Sequence, residues 1–195
     1  MRTAEIVRNT NETKISLSLN VDGKGKHDID SGVGFLNHML ELFSVHSGMD
    51  LAVKCVGDIQ VDDHHSTEDI GIALGQALRA ALGDKKGIAR FSDRVVPMDE
   101  TAALVALDIS GRAYLTLDLD GELSEGKIGS FDAELIGEFL RAFVMNAGVN
   151  LYVKLLAKGN KHHEAEAIFK ALAKCMQDAV TIVSDRVPSS KGVLA

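Results

Sequence analysis

The sequence predicts an α+β fold built twice. It reads as a single domain of two internally duplicated two-layer halves, roughly residues 1–90 and 91–195, each a mainly antiparallel or mixed sheet with two helices packed on one face. The first observation behind this is self-similarity. The segment FLNHMLELFSVHSGMDLAVK at 35–54 lies over LIGEFLRAFVMNAGVNLYVK at 135–154, so that Leu40 meets Leu140, Phe43 meets Phe143, Gly48 meets Gly148 and Leu51 meets Leu151. A repeat of about one hundred residues is too long for a solenoid unit and reads as duplication of a half-domain. The second observation is that His-His-x-x-Glu occurs twice, at 64–68 and 162–166, each copy opening a run of apolar residues at helical spacing. Third, 195 residues with 46% hydrophobic content suffice to bury a substantial core.

Taken in order, residues 14–21 alternate polar and apolar, with Ile15, Leu17, Leu19 and Val21 on one side, and Asp22-Gly23 marks a turn; this is strand and hairpin chemistry. LSLNVDG at 17–23 lies over LTLDLDG at 115–121, extending the repeat to these strands at an offset of 98. From about Phe35 to His46 the apolar residues fall at helical spacing, and Ser47-Gly48 supplies a stop. Leu51 to Val56 is a strand with Leu51, Val53 and Cys55 on one face. Asp62 or Asp63 can N-cap a helix running to about Leu82, where Gly83-Asp84 ends it. The second half repeats this order, with a strand at Ala103–Ile109 before Ser110-Gly111-Arg112. The tail from Arg186 to Gly192 has no periodicity and reads as frayed.

Acidic residues outnumber basic ones by 28 to 21, a formal charge of −7 that leaves no footprint for nucleic acid. No stretch approaches the roughly 18 apolar residues of a membrane helix, and Met1-Arg2-Thr3-Ala4-Glu5 has no signal-like apolar run, so no membrane association and a cytoplasmic location are expected. Cys55 and Cys175 sit at apolar positions and are expected to be buried free thiols without a chemical role.

The duplicated motif points to metal. Positions i and i+4 share a helix face, so His64 with Glu68 can bind one ion and His162 with Glu166 another. His65 and His163 lie about 100° round the axis and point away from their neighbour's ion, so two such helices facing each other would exchange them. His38 and Glu138 occupy equivalent places in the two earlier helices, on otherwise hydrophobic elements where a charge needs a partner. The symmetry groups His64, Glu68, His163 and Glu138 at one ion, and His162, Glu166, His65 and His38 at the other. Imidazole and carboxylate without thiolate suit Mn²⁺, Fe²⁺ or Zn²⁺, and open positions on an octahedral ion fit Mn²⁺ best.

At these residues the sequence resembles the imidazoleglycerol-phosphate dehydratase family of histidine biosynthesis. The likeness covers nearly the whole chain: Arg8 to Thr13, GVGFLNHML at 32–40, GDIQVDDHHSTEDIGIALGQAL at 57–78, PMDE at 97–100, DISGR at 108–112, NKHHEAEAIFKA at 160–171 and PSSKGVL at 188–194. It implies two Mn²⁺ per active site, held by His38, His64, His65, Glu68, His162, His163 and Glu166. Glu138 is a softer ligand, because its position is histidine in some members and glutamate in others. The resemblance places Glu12 and the stretch ending at His46 by the substrate, and Arg90, Arg112, Ser189, Ser190 and Lys191 at its phosphate, with Lys170 a further contact. It also implies a homo-oligomer of twenty-four chains with active sites shared between subunits, the tail reaching a neighbour's pocket.

The substrate of that family, a small phosphorylated imidazole, must lose water although the proton to be removed has no carbonyl beside it. The expected solution is that each ring nitrogen binds one Mn²⁺, and the resulting imidazolate expels the adjacent hydroxyl to give imidazole acetol phosphate. Glu12, His65 and Glu166 are the residues expected to act in catalysis, Glu12 as the acid/base group. Two rivals remain at this level: a two-metal phosphoester hydrolase, for which no bridging Asp stands out, and a non-enzymatic metal-storage protein, which would not need the arginines or the Ser-Ser-Lys tail.

Overall fold

The computed structural model describes residues 1–194. The first half runs β1 (Thr3–Asn9), β2 (Thr13–Asn20), β3 (His27–Asp30), α1 (Gly34–Ser47), β4 (Asp50–Gly57) and α2 (His64–Leu82). The second runs β5 (Phe91–Met98), β6 (Thr101–Asp108), β7 (Tyr114–Asp118), a small hairpin of β8 (Lys127–Ile128) and β9 (Phe131–Asp132), α3 (Leu135–Ala147), β10 (Asn150–Ala157) and α4 (Lys161–Ala179). The strand orders β1-β2-β4-β3 and β5-β6-β10-β7 are one arrangement made twice. All pairs in it are antiparallel except β3 with β4 and β7 with β10. This is the α+β duplication that the repeat predicts.

Alternation along β2 and β6 buries one face of each sheet under helices and leaves the other accessible. Leu17, Leu19, Leu51 and Val53 in one half and Val105, Leu107, Leu151 and Val153 in the other are buried side by side in a single core. Each such side chain contributes about 1.5–3 kcal/mol relative to exposure. The helices interlock the halves: α2 lies on β1 and β2 but packs against α3, while α4 lies on β5 and β6 but packs against α1. Gly71 and Gly75 permit the first crossing, because a Cβ there would stand 2.8 Å from the Phe139 carbonyl oxygen and 2.5 Å from that of Phe143.

The ends of α1 and α3 are set by Gly48 and Gly148 in the left-handed conformation, each donating its N–H back to Ser44 or Val144. At the start of α2, Asp63 holds the cap position without a side-chain bond. It is Asp62 whose Oδ1 accepts the His64 N–H, at 2.8 Å. Both cysteines are free and buried, and burial pushes the Cys175 thiol up to about 12. Among the described residues no helix is long and apolar enough to cross a membrane.

Two expectations are corrected. Asp22-Gly23 does not close a hairpin: the chain crosses to β3 on the far side of β4, and the hairpin is β1–β2, turned where Thr10 Oγ1 accepts the N–H groups of Glu12 and Thr13. Nor are 17–23 and 115–121 equivalent. Leu51 lies between Leu19 and His27, whereas Leu151 lies between Leu107 and Leu115, so β2 corresponds to β6 and β3 to β7 at an offset of 88. The offset rises to 100 only after the β8–β9 excursion. Period-2 alternation ended by a turn looks alike in any strand, which is why so short a match misled. In the corrected register Asn11-Glu12-Thr13 overlies Asp99-Glu100-Thr101.

Candidate active site

Packing of α1 on α4 brings three donors together. His38 Nε2 lies 2.8 Å, and His162 Nε2 3.1 Å, from the same oxygen, Oε1 of Glu166. One donor atom from each of the three falls within 4.8 Å of the others. Phe35 stands edge-on to His162 with ring centroids 5.2 Å apart, limiting the imidazole's freedom. The second oxygen of Glu166 is claimed by Lys170, whose Nζ is 2.6 Å away and also reaches Met98 sulfur. Burial opposes ionisation of Glu166, but the hydrogen bonds from Lys170, His38 and His162 prevail and hold its carboxyl down at about 2. Converging imidazole and carboxylate lone pairs with no thiolate fit a divalent ion such as Mn²⁺.

The motif on α2 is more open. His64 Nε2 and Glu68 Oε2 are 3.7 Å apart, and Glu138 pairs at 3.7 Å with Arg141 of its own helix. The second histidine of each motif turns away, as its place on the helix requires. His65 sets Nδ1 3.0 Å from Asp58 and Nε2 3.7 Å from Glu12; His163 sets Nδ1 3.0 Å from Glu100 and Nε2 3.9 Å from Asp99. These carboxylates raise the pKa of both imidazoles. Of the grouping His162, Glu166, His65 and His38, one chain therefore brings together all but His65. His163 gathers instead with Asp99 and Glu100, apart from His64, Glu68 and Glu138. Asp99 and Glu100 were not singled out as site residues from the sequence, although the 88-residue register would have paired Glu100 with Glu12.

The turn carrying Glu12 is tied to α2 by a buried carboxylate. Asp69 accepts from Arg8 Nη2 at 2.7 Å and from Thr13 Oγ1 at 2.5 Å, and the Asp58 N–H donates to the Glu12 carbonyl. Glu12 is thereby fixed beside His65 by the helix that bears His64 and Glu68.

A second feature is a cavity of about 440 Å³ lined by Arg90, Arg112, Ser189, Ser190 and Lys191. Asp108 orients the Arg90 guanidinium through Nε at 2.7 Å, and Arg90 Nη1 donates to the Pro188 carbonyl at 2.7 Å. The tail expected to fray is folded onto its own chain here, because the Pro188 carbonyl finds a charged donor and the Arg186 carbonyl accepts the Gly87 N–H at 2.8 Å. Lys170, engaged by Glu166, does not line this cavity. His46, near the end of α1, has its pKa lowered by burial and by Lys174 and Lys170 nearby.

With metal donors and a cationic cavity in place, comparison with known proteins is decisive. The family model for imidazoleglycerol-phosphate dehydratase matches residues 31–176. The chain belongs to that family. The imidazoleglycerol-phosphate dehydratase of Caldicellulosiruptor saccharolyticus is 50% identical over 193 residues, 99% of this chain and 98% of its own. That of Streptococcus mutans is 53% identical over the whole of both chains. The crystal structure of the family member from Staphylococcus aureus superposes with a TM-score of 0.83 at 44% identity, covering 93% of this chain and 99% of the other. The Pyrococcus furiosus member gives 0.83 at 34% identity, covering 97% and 100%.

Proposed function

We propose that the chain removes water from imidazoleglycerol phosphate to give imidazole acetol phosphate, with two Mn²⁺ per active site. The observation that carries this reading is that one chain of this family holds both a His38–His162–Glu166 donor set and, at the other end of β5 and β6, an arginine-lined cavity, which neighbouring chains would bring together. His38, His162 and Glu166 would hold one ion and His64 and Glu68 the other. His65 and His163, turned outward, would complete the two sets from neighbouring chains of a homo-oligomer, and Glu138 is a further ligand for the second ion. When bound, such ions supply Lewis acidity that favours loss of the ring proton and so makes the ring able to push out the neighbouring hydroxyl.

The chain's own residues do the rest. Arg90, Arg112 and the Ser189-Ser190-Lys191 segment bind the phosphate, since several converging donors with a guanidinium fork match its oxygens. That anchoring fixes the register of the substrate's side chain relative to Glu12. Glu12, accessible and held near His65, moves the side-chain proton at its carboxylate.

Incubation with the substrate and Mn²⁺, followed by mass spectrometry, is expected to show a product lighter by one water with its phosphorus retained. Release of inorganic phosphate instead would establish the two-metal hydrolase reading. Binding of Mn²⁺ with no turnover of any kind would leave a metal-storage role.

A further inference from the structure

We propose that Asp58 and Glu100 are positioning residues that fix His65 and His163 with the proton on Nδ1, so that each Nε2 offers its lone pair to a divalent cation. This rests on the reading of His65 and His163 as metal ligands. Asp58 brings both carboxylate oxygens to His65 Nδ1, at 3.0 and 3.1 Å, and Glu100 does the same to His163 Nδ1, at 3.0 and 3.2 Å. An ionised carboxylate only accepts, so the nitrogen facing it must carry the hydrogen, and the opposite nitrogen is left as the ligand.

The two halves reach this contact from places that do not correspond. Asp58 belongs to the connection between β4 and α2; the matching connection, Lys158-Gly159-Asn160, is shorter and has no carboxylate. Glu100 instead comes from the β5–β6 turn, at the position equivalent to Glu12. A solvated charge has no reason to recreate one contact by two routes, whereas a ligand imidazole needing a fixed tautomer does. The substitution also separates duties. In the first half Asp58 occupies Nδ1 and leaves Glu12 free for proton transfer. In the second, Glu100 is fully engaged, for its Oε1 also accepts the Asn160 N–H at 2.7 Å. Gly159 makes room for it, since a Cβ there would overlap the Glu100 side chain.

That last hydrogen bond makes Glu100→Gln decisive. The Asn160 N–H keeps the amide oxygen, so the amide NH₂ faces Nδ1 and drives the proton to Nε2. Manganese titrated into the full protein, followed by electron paramagnetic resonance and calorimetry, should show one of the two ions bound roughly 10- to 100-fold more weakly, the other unchanged. Nitrogen-15 spectra of the histidine-labelled, metal-free protein should show the signal that vanishes in His163→Ala moving from the Nδ1–H to the Nε2–H pattern. Gly159→Ala, which displaces Glu100 while keeping its charge, should weaken the same ion, and Asp58→Ala the other. If His163→Ala binds both ions normally, the ligand reading itself falls. If His163→Ala loses an ion while Glu100→Gln and Gly159→Ala bind it normally with an unmoved signal, the ligand reading stands and the positioning role is wrong.

Discussion

Helices α2 and α4 open with the same His-His-x-x-Glu pattern, yet hold it under unequal constraint. On α4 the Glu166 side chain is 9% exposed and touches His38, His162 and Lys170; on α2 the Glu68 side chain is 46% exposed and stands 3.7 Å from His64. Lys170 has no counterpart, because Ile72 occupies its place. Gly71 and Gly75 draw the α3 backbone close to α2, where α4 carries Phe169 and Ala173. Duplication thus copied the donors but not their surroundings: Glu166 gathers His162 of its own helix and His38 from the other half, whereas Glu68 stands 3.7 Å from His64 without such a gathering.

The sharpest way to break this comparison is at the two equivalent carboxylates Glu12 and Glu100. Glu12→Gln should lower turnover by roughly 10²- to 10⁴-fold while manganese content stays the same, measured by steady-state kinetics and metal analysis on one sample. Retained turnover would remove Glu12 from the proton path.

The cavity proposed to take the phosphate has no counterpart assigned in the first half's sheet, which gives the next effect in size. Arg112→Ala should raise KM about 10- to 100-fold, the worth of a charge-assisted hydrogen bond to phosphate, with both ions still bound. An unchanged KM would move the phosphate elsewhere.

How much of this was legible follows from burial. The helix bounds near Leu82 and Ser47-Gly48, the strand from Leu51 and the repeated apolar positions could be read because the core imposes a period on Leu40, Phe43, Leu74 and their copies. The paired histidines were legible because helical spacing dictates which face each takes. The edge strands β1, β3 and β5 were not read as strands, since each buries little of its length. Asp58 and Glu100 were invisible for a related reason. They sit in polar turns with no period, and only the register of β2 against β6 reveals that Glu100 stands where Glu12 does. The tail's fold depends on the Pro188 carbonyl meeting the Arg90 guanidinium and the Arg186 carbonyl meeting the Gly87 N–H, contacts that no pattern announces.

Smaller effects test the packing side of the comparison. Gly71→Ala should cost about 1–3 kcal/mol because the Phe139 carbonyl leaves no space for a methyl group, seen as a lower Tm. Ala173→Gly on α4 should cost only about 1 kcal/mol, the helix-propensity loss. Of similar size, Asn160→Ala should cost roughly 0.5–2 kcal/mol by removing the cap on the His162 N–H. Asp63→Ala should cost less than Asp62→Ala, since only Asp62 bonds the α2 terminus.

The central claim is that the outward-turned histidines complete the ion sites of neighbouring chains. A crystal structure of the manganese-loaded oligomer tests it most directly. The account predicts an ion on His38, His162 and Glu166 of one chain with Nε2 of His65 from another, its Nδ1 still on Asp58. An ion at that triad with no His65 from any chain within coordination distance would contradict it.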